Sequence, residues 1–255
     1  MMTRILNLTG KRAVVTGASR GIGAATARLL ATAGADVVVG YRTRSDEALA
    51  VVASCRAFGV KSFPHSADLS TRSGNRSLLD YTLDALGGVD IYVGNSGVWP
   101  DLPVPVVDLE DDRWRSTMAL NLDGIFYGCQ AAARLLSDGG RIVLVSSTAG
   151  QRGEAFHADY AASKGAVIAF VKSLAVELAP RGITVNTVAP GWVDTEAVSR
   201  PFAGDGRRQI EAAIPLGRVA SPEDIAGPIA FLCSHLARHV TGEVLNVNGG
   251  SVLCG

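Results

Sequence analysis

No charge of one sign dominates this chain: 24 Lys and Arg balance 24 Asp and Glu, for a formal net charge of zero. That balance removes the reason to expect a nucleic acid or an anionic membrane surface as partner. Lysine is scarce, with 4 against 20 arginines. The arginines are spread along the chain, and the skew fits a GC-rich genome better than a binding patch. There are only four cysteines (Cys55, Cys129, Cys233 and Cys254), far apart and without metal-ligand spacing. They read as reduced thiols of a cytoplasmic protein, and no metal site is expected. Residues 1–7 are followed by no apolar signal core, and no uncharged apolar run reaches membrane-spanning length. No Pro/Ser-rich linker, charge block, low-complexity stretch or internal repeat marks a boundary. With 255 residues, 47% of them hydrophobic, the expectation is a single domain over 1–255 with a sizeable core.

What the chain does have is alternation. Strand-like runs fall at 13–16, 36–40, 61–65, 91–93, 141–146, 184–188 and 244–247. Several are continuous Val/Ile runs bounded by Gly or Asp, as expected of strands covered on both faces. Helical patterns lie between them, at 21–32, 114–136, 160–179 and 222–232. Strand–helix alternation predicts an α/β fold: a doubly wound parallel seven-stranded sheet of Rossmann type with helices on both faces. Ligands of such sheets bind beyond the carboxyl ends of the strands.

Two motifs carry chemistry. Tyr160 and Lys164 are four residues apart in a helical stretch, so they share one face. A tyrosine titrates near pH 10, and a neighbouring cation favours the phenolate. Alone, such a pair also describes a solvated helix face. The second motif, Thr16-Gly17-Ala18-Ser19-Arg20-Gly21-Ile22-Gly23, joins the first strand-like run to the first helix. Glycines there let a backbone approach a pyrophosphate, and the helix start offers free N–H groups and a positive dipole end.

The ordered set of motifs resembles the short-chain dehydrogenase/reductase family over residues 8–250. The glycine segment matches the family's first motif, and Gly94-Asn95-Ser96-Gly97 matches its Asn-Asn-Ala-Gly motif with two departures. Asn121 matches the family's helix asparagine, Ser147 its serine thirteen residues before Tyr160, and Pro190-Gly191-Trp192-Val193-Asp194-Thr195 its Pro-Gly segment. The resemblance implies an enzyme with catalytic Asn121, Ser147, Tyr160 and Lys164. Ser146 competes for the serine role, but the family interval favours Ser147, and strand alternation turns Ser146 the other way. In carbonyl reduction Tyr160 gives the proton, Ser147 holds the oxygen, Lys164 contacts the nicotinamide ribose and lowers the pKa of Tyr160, and Asn121 holds a water leading to solvent. Cofactor contacts are implied at Gly17, Ser19, Arg20, Gly21, Ile22, Gly23, Asn95, Gly97, Tyr160, Lys164, Pro190, Gly191, Val193 and Thr195. Asp68 and Leu69 fall beside the adenine by the same resemblance, although Asp68 also suits a helix cap.

Charge argues for NADP(H). NAD-binding folds place an acid after the second strand, for the ribose hydroxyls. Here Tyr41 holds that place, followed by Arg42 and Thr43, with Arg20 inside the glycine turn. A ribose phosphate favours guanidinium and hydroxyl donors. Trp99, Trp192 and Phe202 are candidates for the substrate side, with plain packing as the alternative for the tryptophans.

In motif the chain stands nearest the 3-oxoacyl-[acyl-carrier-protein] reductases. The resemblance implies a small carbonyl or alcohol as substrate, including one carried on acyl carrier protein. Those relatives dock an acidic carrier through basic positions, one matching Arg181. In the turn 136–140 the other is replaced by Asp138, which repels an acidic partner. Arg134, Arg207 and Arg208 are the alternative docking cations. Oxidation of a sugar, cyclic or secondary alcohol is the competing direction, and a non-catalytic dinucleotide sensor the remote reading. Residues 195–213 are expected to form a lid, with Pro201, Gly204 and Gly206 permitting hinge motion. Apolar residues on more than one face of the long helices (Phe126, Leu135, Val167, Phe170, Leu174) and an apolar C-terminal run suggest partner surfaces. By resemblance these belong to a homotetramer, with a dimer as runner-up.

Overall fold

The computed structural model describes residues 6–254. The opening residues 1–5, read as preceding no signal core, and Gly255 of the apolar tail lie outside the described residues. The strands are β1 (Arg12–Val15), β2 (Asp36–Tyr41), β3 (Ser62–Ser66), β4 (Val89–Gly94), β5 (Leu136–Val145), β6 (Thr184–Pro190) and β7 (Val244–Val247). The helices are α1 (Gly21–Thr32), α2 (Ser45–Arg56), α3 (Arg72–Leu86), α4 (Asp111–Met118), α5 (Gly124–Leu135), α6 (Thr148–Arg152), α7 (Ala158–Leu178), α8 (Gly206–Ala212) and α9 (Pro222–Cys233).

All the strands pair in parallel, in the order β3-β2-β1-β4-β5-β6-β7. Strand pleating sends alternate side chains to opposite faces. Ala13 and Val15 therefore pack on one face with α1, α2 and α9, while Val14 packs on the other with α3, α5 and α7. Both faces are dry, which is why the strands read as unbroken apolar runs. The chain order reverses between β1 and β4, and a crevice opens there at the carboxyl ends.

Two elements differ from their sequence pattern. The segment 114–136 reads as one helix, yet between α4 and α5 it contains a wide π-type turn over Ala119–Asp123. Hydrophobic period alone does not register such a turn. β5 begins at Leu136 rather than at Arg141. Leu136 pairs with Val89 and Arg141 with Ile91, so the residues between bulge outward and carry Asp138. Among the described residues, no helix is long and apolar enough to cross a membrane. Cys55, Cys129 and Cys233 are buried and unpaired, and Cys254 is exposed.

Candidate active site

The glycine turn is held to the sheet by side chains from two strand ends. Thr16 Oγ1 accepts the backbone N–H groups of Asn95 and Ser96, both at 2.9 Å. Asn95 Nδ2 donates to the carbonyl of Thr16 at 2.9 Å and to that of Gly17 at 3.2 Å. Asn95 thus buttresses the turn despite the departures at Gly94 and Ser96. Gly17 has φ +59°. A Cβ at Gly23 would sit 2.4 Å from the Gly17 carbonyl, so only glycine lets α1 start this close to β1. Arg20 at the head of α1 makes no side-chain cap, leaving the first N–H groups of the helix free of one. Such a start suits an anionic diphosphate.

Beside this turn is a cleft of about 220 Å³, lined by Gly17, Ser19, Arg20, Tyr41, Arg42 and Thr43 on its cationic side, with Leu69 and Gly97 also contributing. Arg42 makes no side-chain hydrogen bond or ion pair among the described residues. Arg44, which sequence reasoning passed over, joins the same wall. Asp68 accepts from Ser70 N–H at 3.0 Å and Ser70 Oγ at 2.7 Å, and these bonds, with the Arg42 charge, hold its carboxyl below the usual range. It does not cap α3; Thr71 does, accepting from Gly74 N–H at 3.0 Å.

A second cavity, about 210 Å³, shares Asn95 and Gly97 with the first. It gathers Ile22, Ser147, Tyr160, Lys164, Pro190, Gly191, Val193 and Thr195, with Trp99 and Trp192 on its walls. Ser147 begins α6, and Ser146 points elsewhere, donating to the Lys164 carbonyl at 2.8 Å. Lys164 Nζ donates to the Val145 carbonyl at 2.8 Å and lies 5.8 Å from the Tyr160 ring centre. Asn121, in the wide turn, is fully buried. Its Oδ1 accepts from Val98 N–H at 2.8 Å, and its Nδ2 donates to the Val98 carbonyl at 2.9 Å and to Ser163 Oγ at 3.2 Å. A Cβ at Gly97 would lie 3.2 Å from both Asn121 Oδ1 and Lys164 Nζ. Wide turns of this kind recur at functional positions.

Electrostatics here depart from expectation. Burial pushes the Tyr160 phenol up to about 12, against a hydrogen bond with Ser147, and the Glu154 charge raises it further. Burial also lowers Lys164 to about 8. Desolvation, which disfavours whichever form is charged, therefore outweighs the Ser147 hydrogen bond at Tyr160 and dominates at Lys164. Next to Tyr160, Asp159 is fully buried. Burial would raise its pKa, but bonds from Arg113 (3.0 Å) and Thr117 (2.9 Å) outweigh that and hold it low. This pair ties α4 to α7.

Trp99 and Trp192 line the cavity as the sequence suggested, but their neighbours Glu154 and His157 were missed. Trp99 stacks on His157 with ring centres 4.7 Å apart and meets Trp192 edge-on at 6.0 Å. Its indole N–H points to Glu154 Oε1 at 3.3 Å. No motif marks Glu154, which the loop's return path brings to the cavity, or His157, which reaches it only through its stacking on Trp99. Phe202 meets Trp192 with ring centres 6.0 Å apart and lies under the Arg207 guanidinium at 5.4 Å.

The family model described as enoyl-(acyl carrier protein) reductase matches residues 17–251. A 3-oxoacyl-[acyl-carrier-protein] reductase of Synechocystis sp. is 41% identical, covering 96% of this chain and 98% of that one. L-Rhamnose 1-dehydrogenase (NAD(P)(+)) of Azotobacter vinelandii is 37% identical, covering 95% and 97%. A short-chain dehydrogenase of Burkholderia cenocepacia, solved in complex with NADP, superposes with a TM-score of 0.91 at 37% identity, covering 96% and 99%. The chain belongs to the short-chain dehydrogenase/reductase family. It is an oxidoreductase that works with a nicotinamide dinucleotide, and the sensor reading falls away.

Proposed function

We propose that the protein, as one domain over 1–255, is an NADPH-dependent reductase that converts a small ketone to a secondary alcohol. The observation that carries this is the meeting of Ser147, Tyr160 and Lys164 in one cavity that runs into a cleft walled by Arg20 and the unpaired Arg42. NADPH, when bound, supplies the hydride. Gly17, Ser19 and Gly21–Gly23 would hold its diphosphate, Arg42 and Thr43 its ribose phosphate, Leu69 and Tyr41 its adenosine end. Pro190, Gly191, Val193 and Thr195 would hold the nicotinamide end. Negative charge then develops on the substrate oxygen, which Ser147 meets with a hydrogen bond and Tyr160 with a proton. A phenol raised to about 12 holds its proton at neutral pH, as a proton donor must. Lys164 holds the ribose, and Asn121, whose amide is engaged by Val98 and Ser163, offers its main chain to the water that refills the proton.

Delivery on acyl carrier protein is the weaker form of this reading. Asp138 pairs with Arg181 at 2.9 Å, and Arg181 further bonds the carbonyls of Ala133 and Leu136. The cation expected to dock an acidic carrier is thus occupied by the chain itself. Arg207 and Arg208 are also paired, with Asp194 and Asp205. Oxidation of a cyclic or sugar alcohol is the second reading, favoured by the Trp99 and Trp192 rings beside Arg152 and Glu154. The test is NADPH consumption with acyl thioesters, diketones and cyclic ketones, and NADP reduction with sugars. Turnover of a free ketone supports the proposal; turnover only of carrier-bound thioesters, or only of sugars, replaces it.

A further inference from the structure

One acid bridges the two halves of the site. The loop after β6 makes a short helical turn over Glu196–Val198. Thr195, Ala197 and Val198 face the catalytic cavity. Glu196 faces the other way, toward the cationic cleft. Its Oε2 pairs with Arg20 of the glycine turn and with Arg44 at 3.3 Å. Arg44, just before α2, also meets Glu47 in the first turn of that helix at 2.8 Å. Thr195 lies against the same turn: a Cβ on Gly21 would be 3.3 Å from Thr195 Cγ2. The loop is therefore fastened to the wall that the cofactor reading assigns to the ribose phosphate.

We propose that Glu196 is a discriminating latch: its carboxylate occupies Arg20 and Arg44 until a ribose 2′-phosphate displaces it, which frees the 195–198 loop beside the substrate cavity. This rests on the NADPH reading above. A phosphate monoester carries nearly two negative charges near neutrality and binds guanidinium groups through paired bonds, so it outcompetes a single carboxylate for the same cations. Phosphate and Glu196 also repel each other. NADH lacks the phosphate and leaves the latch closed. Cofactor choice and loop position are then coupled, and the coupling runs both ways. Arg42, free of the latch, gives the incoming phosphate its first contact.

The test uses the full-length protein and four probes: 2′-AMP, 5′-AMP, NADPH and NADH. Exposed ion pairs are individually weak, so Glu196→Gln should tighten NADPH and 2′-AMP about three- to tenfold by calorimetry while NADH moves by less than about twofold. Glu196→Asp, which keeps the charge, should stay near wild type. Hydrogen exchange supplies the second readout. The Val198 N–H bonds the Thr195 carbonyl and the Ser199 N–H bonds the Glu196 carbonyl, so both amides report on the turn. In the wild type, 2′-AMP should speed their exchange and 5′-AMP should not. In Glu196→Gln they should exchange fast without ligand. Equal tightening of NADPH and NADH, or exchange unmoved by bound 2′-AMP, overturns the latch and leaves the reductase reading intact. A wild type that binds neither 2′-AMP nor NADPH overturns both.

Discussion

Lys164 shows the conflict between function and burial most directly. It is 4% exposed, and burial lowers its pKa from the model-peptide 10.5 to about 8. Between those values the unfolded chain binds more protons than the folded one, so stability rises with pH across that window. The cost of burying the charge is fully present below pH 8. Lys164→Met should therefore raise the melting temperature at pH 7, with the gain shrinking toward pH 10.5; a gain independent of pH would contradict the assignment. Catalysis follows the same titration. Tyr160 keeps its proton to about 12, whereas Lys164 loses its own above about 8. The kcat/KM for reduction should hold level up to about pH 8 and decline above it, and a profile level through pH 10 would separate Lys164 from the rate. At the other end of the site, Arg42→Ala should weaken NADPH by about 1.5–3 kcal/mol through lost charge-assisted bonds, with NADH unchanged in binding titrations. Tyr160, Lys164 and Arg42 were legible from spacing and charge, and Ser147 from the family resemblance. Glu196, Arg44, Glu154 and His157 were not, because their relevance arises from loops that meet only in the fold.

At the scale of elements, the glycine turn, β1 and α1 form one close-packed unit. Gly23→Ala would force its methyl carbon against the Gly17 carbonyl, 2.4 Å away, with the Asn95 amide at 2.6 Å and Ala18 Cα at 2.9 Å leaving little room to shift. Overpacking of this kind costs about 1–3 kcal/mol. The expected result is a lower melting temperature and loss of dinucleotide binding together; normal binding would show that the turn relaxes. The strand sequence of this sheet was readable because buried parallel strands are plain Val/Ile runs. The wide turn at Asn121 and the bulge at Asp138 were not, since neither breaks the apolar period. The lid region is only partly helical: α8 follows the turn at Glu196–Val198, and Pro201 lies between them. Hydrogen exchange over 200–213, beyond the Glu196 turn, should fall when NADPH and substrate are both present, and unchanged exchange there would remove the lid from the account.

For the whole molecule, part of the apolar helix surface turns inward. Of the apolar residues on more than one face of the long helices, Val167 and Leu174 belong to the stripe that packs within the chain. Phe126 remains 39% exposed and meets Phe170 edge-on at 6.3 Å, while Val176 and Leu253 are 76% and 89% exposed. β7 ends the sheet with every residue only half-buried. An open strand edge and apolar side chains of this kind need cover. A homotetramer, or failing that a dimer, should appear in light scattering at micromolar concentration, and a stable monomer would leave these surfaces unexplained.

The central claim is that Tyr160 is the proton donor in a site that binds NADPH independently of it. Tyr160→Phe keeps the ring and removes the hydroxyl. NADPH titration and steady-state reduction, measured on the same preparation with whichever ketone the wild type turns over, separate the two roles. NADPH affinity should stay within about twofold while kcat falls by at least roughly a hundredfold, the usual contribution of general acid catalysis. Turnover comparable to wild type would contradict the account.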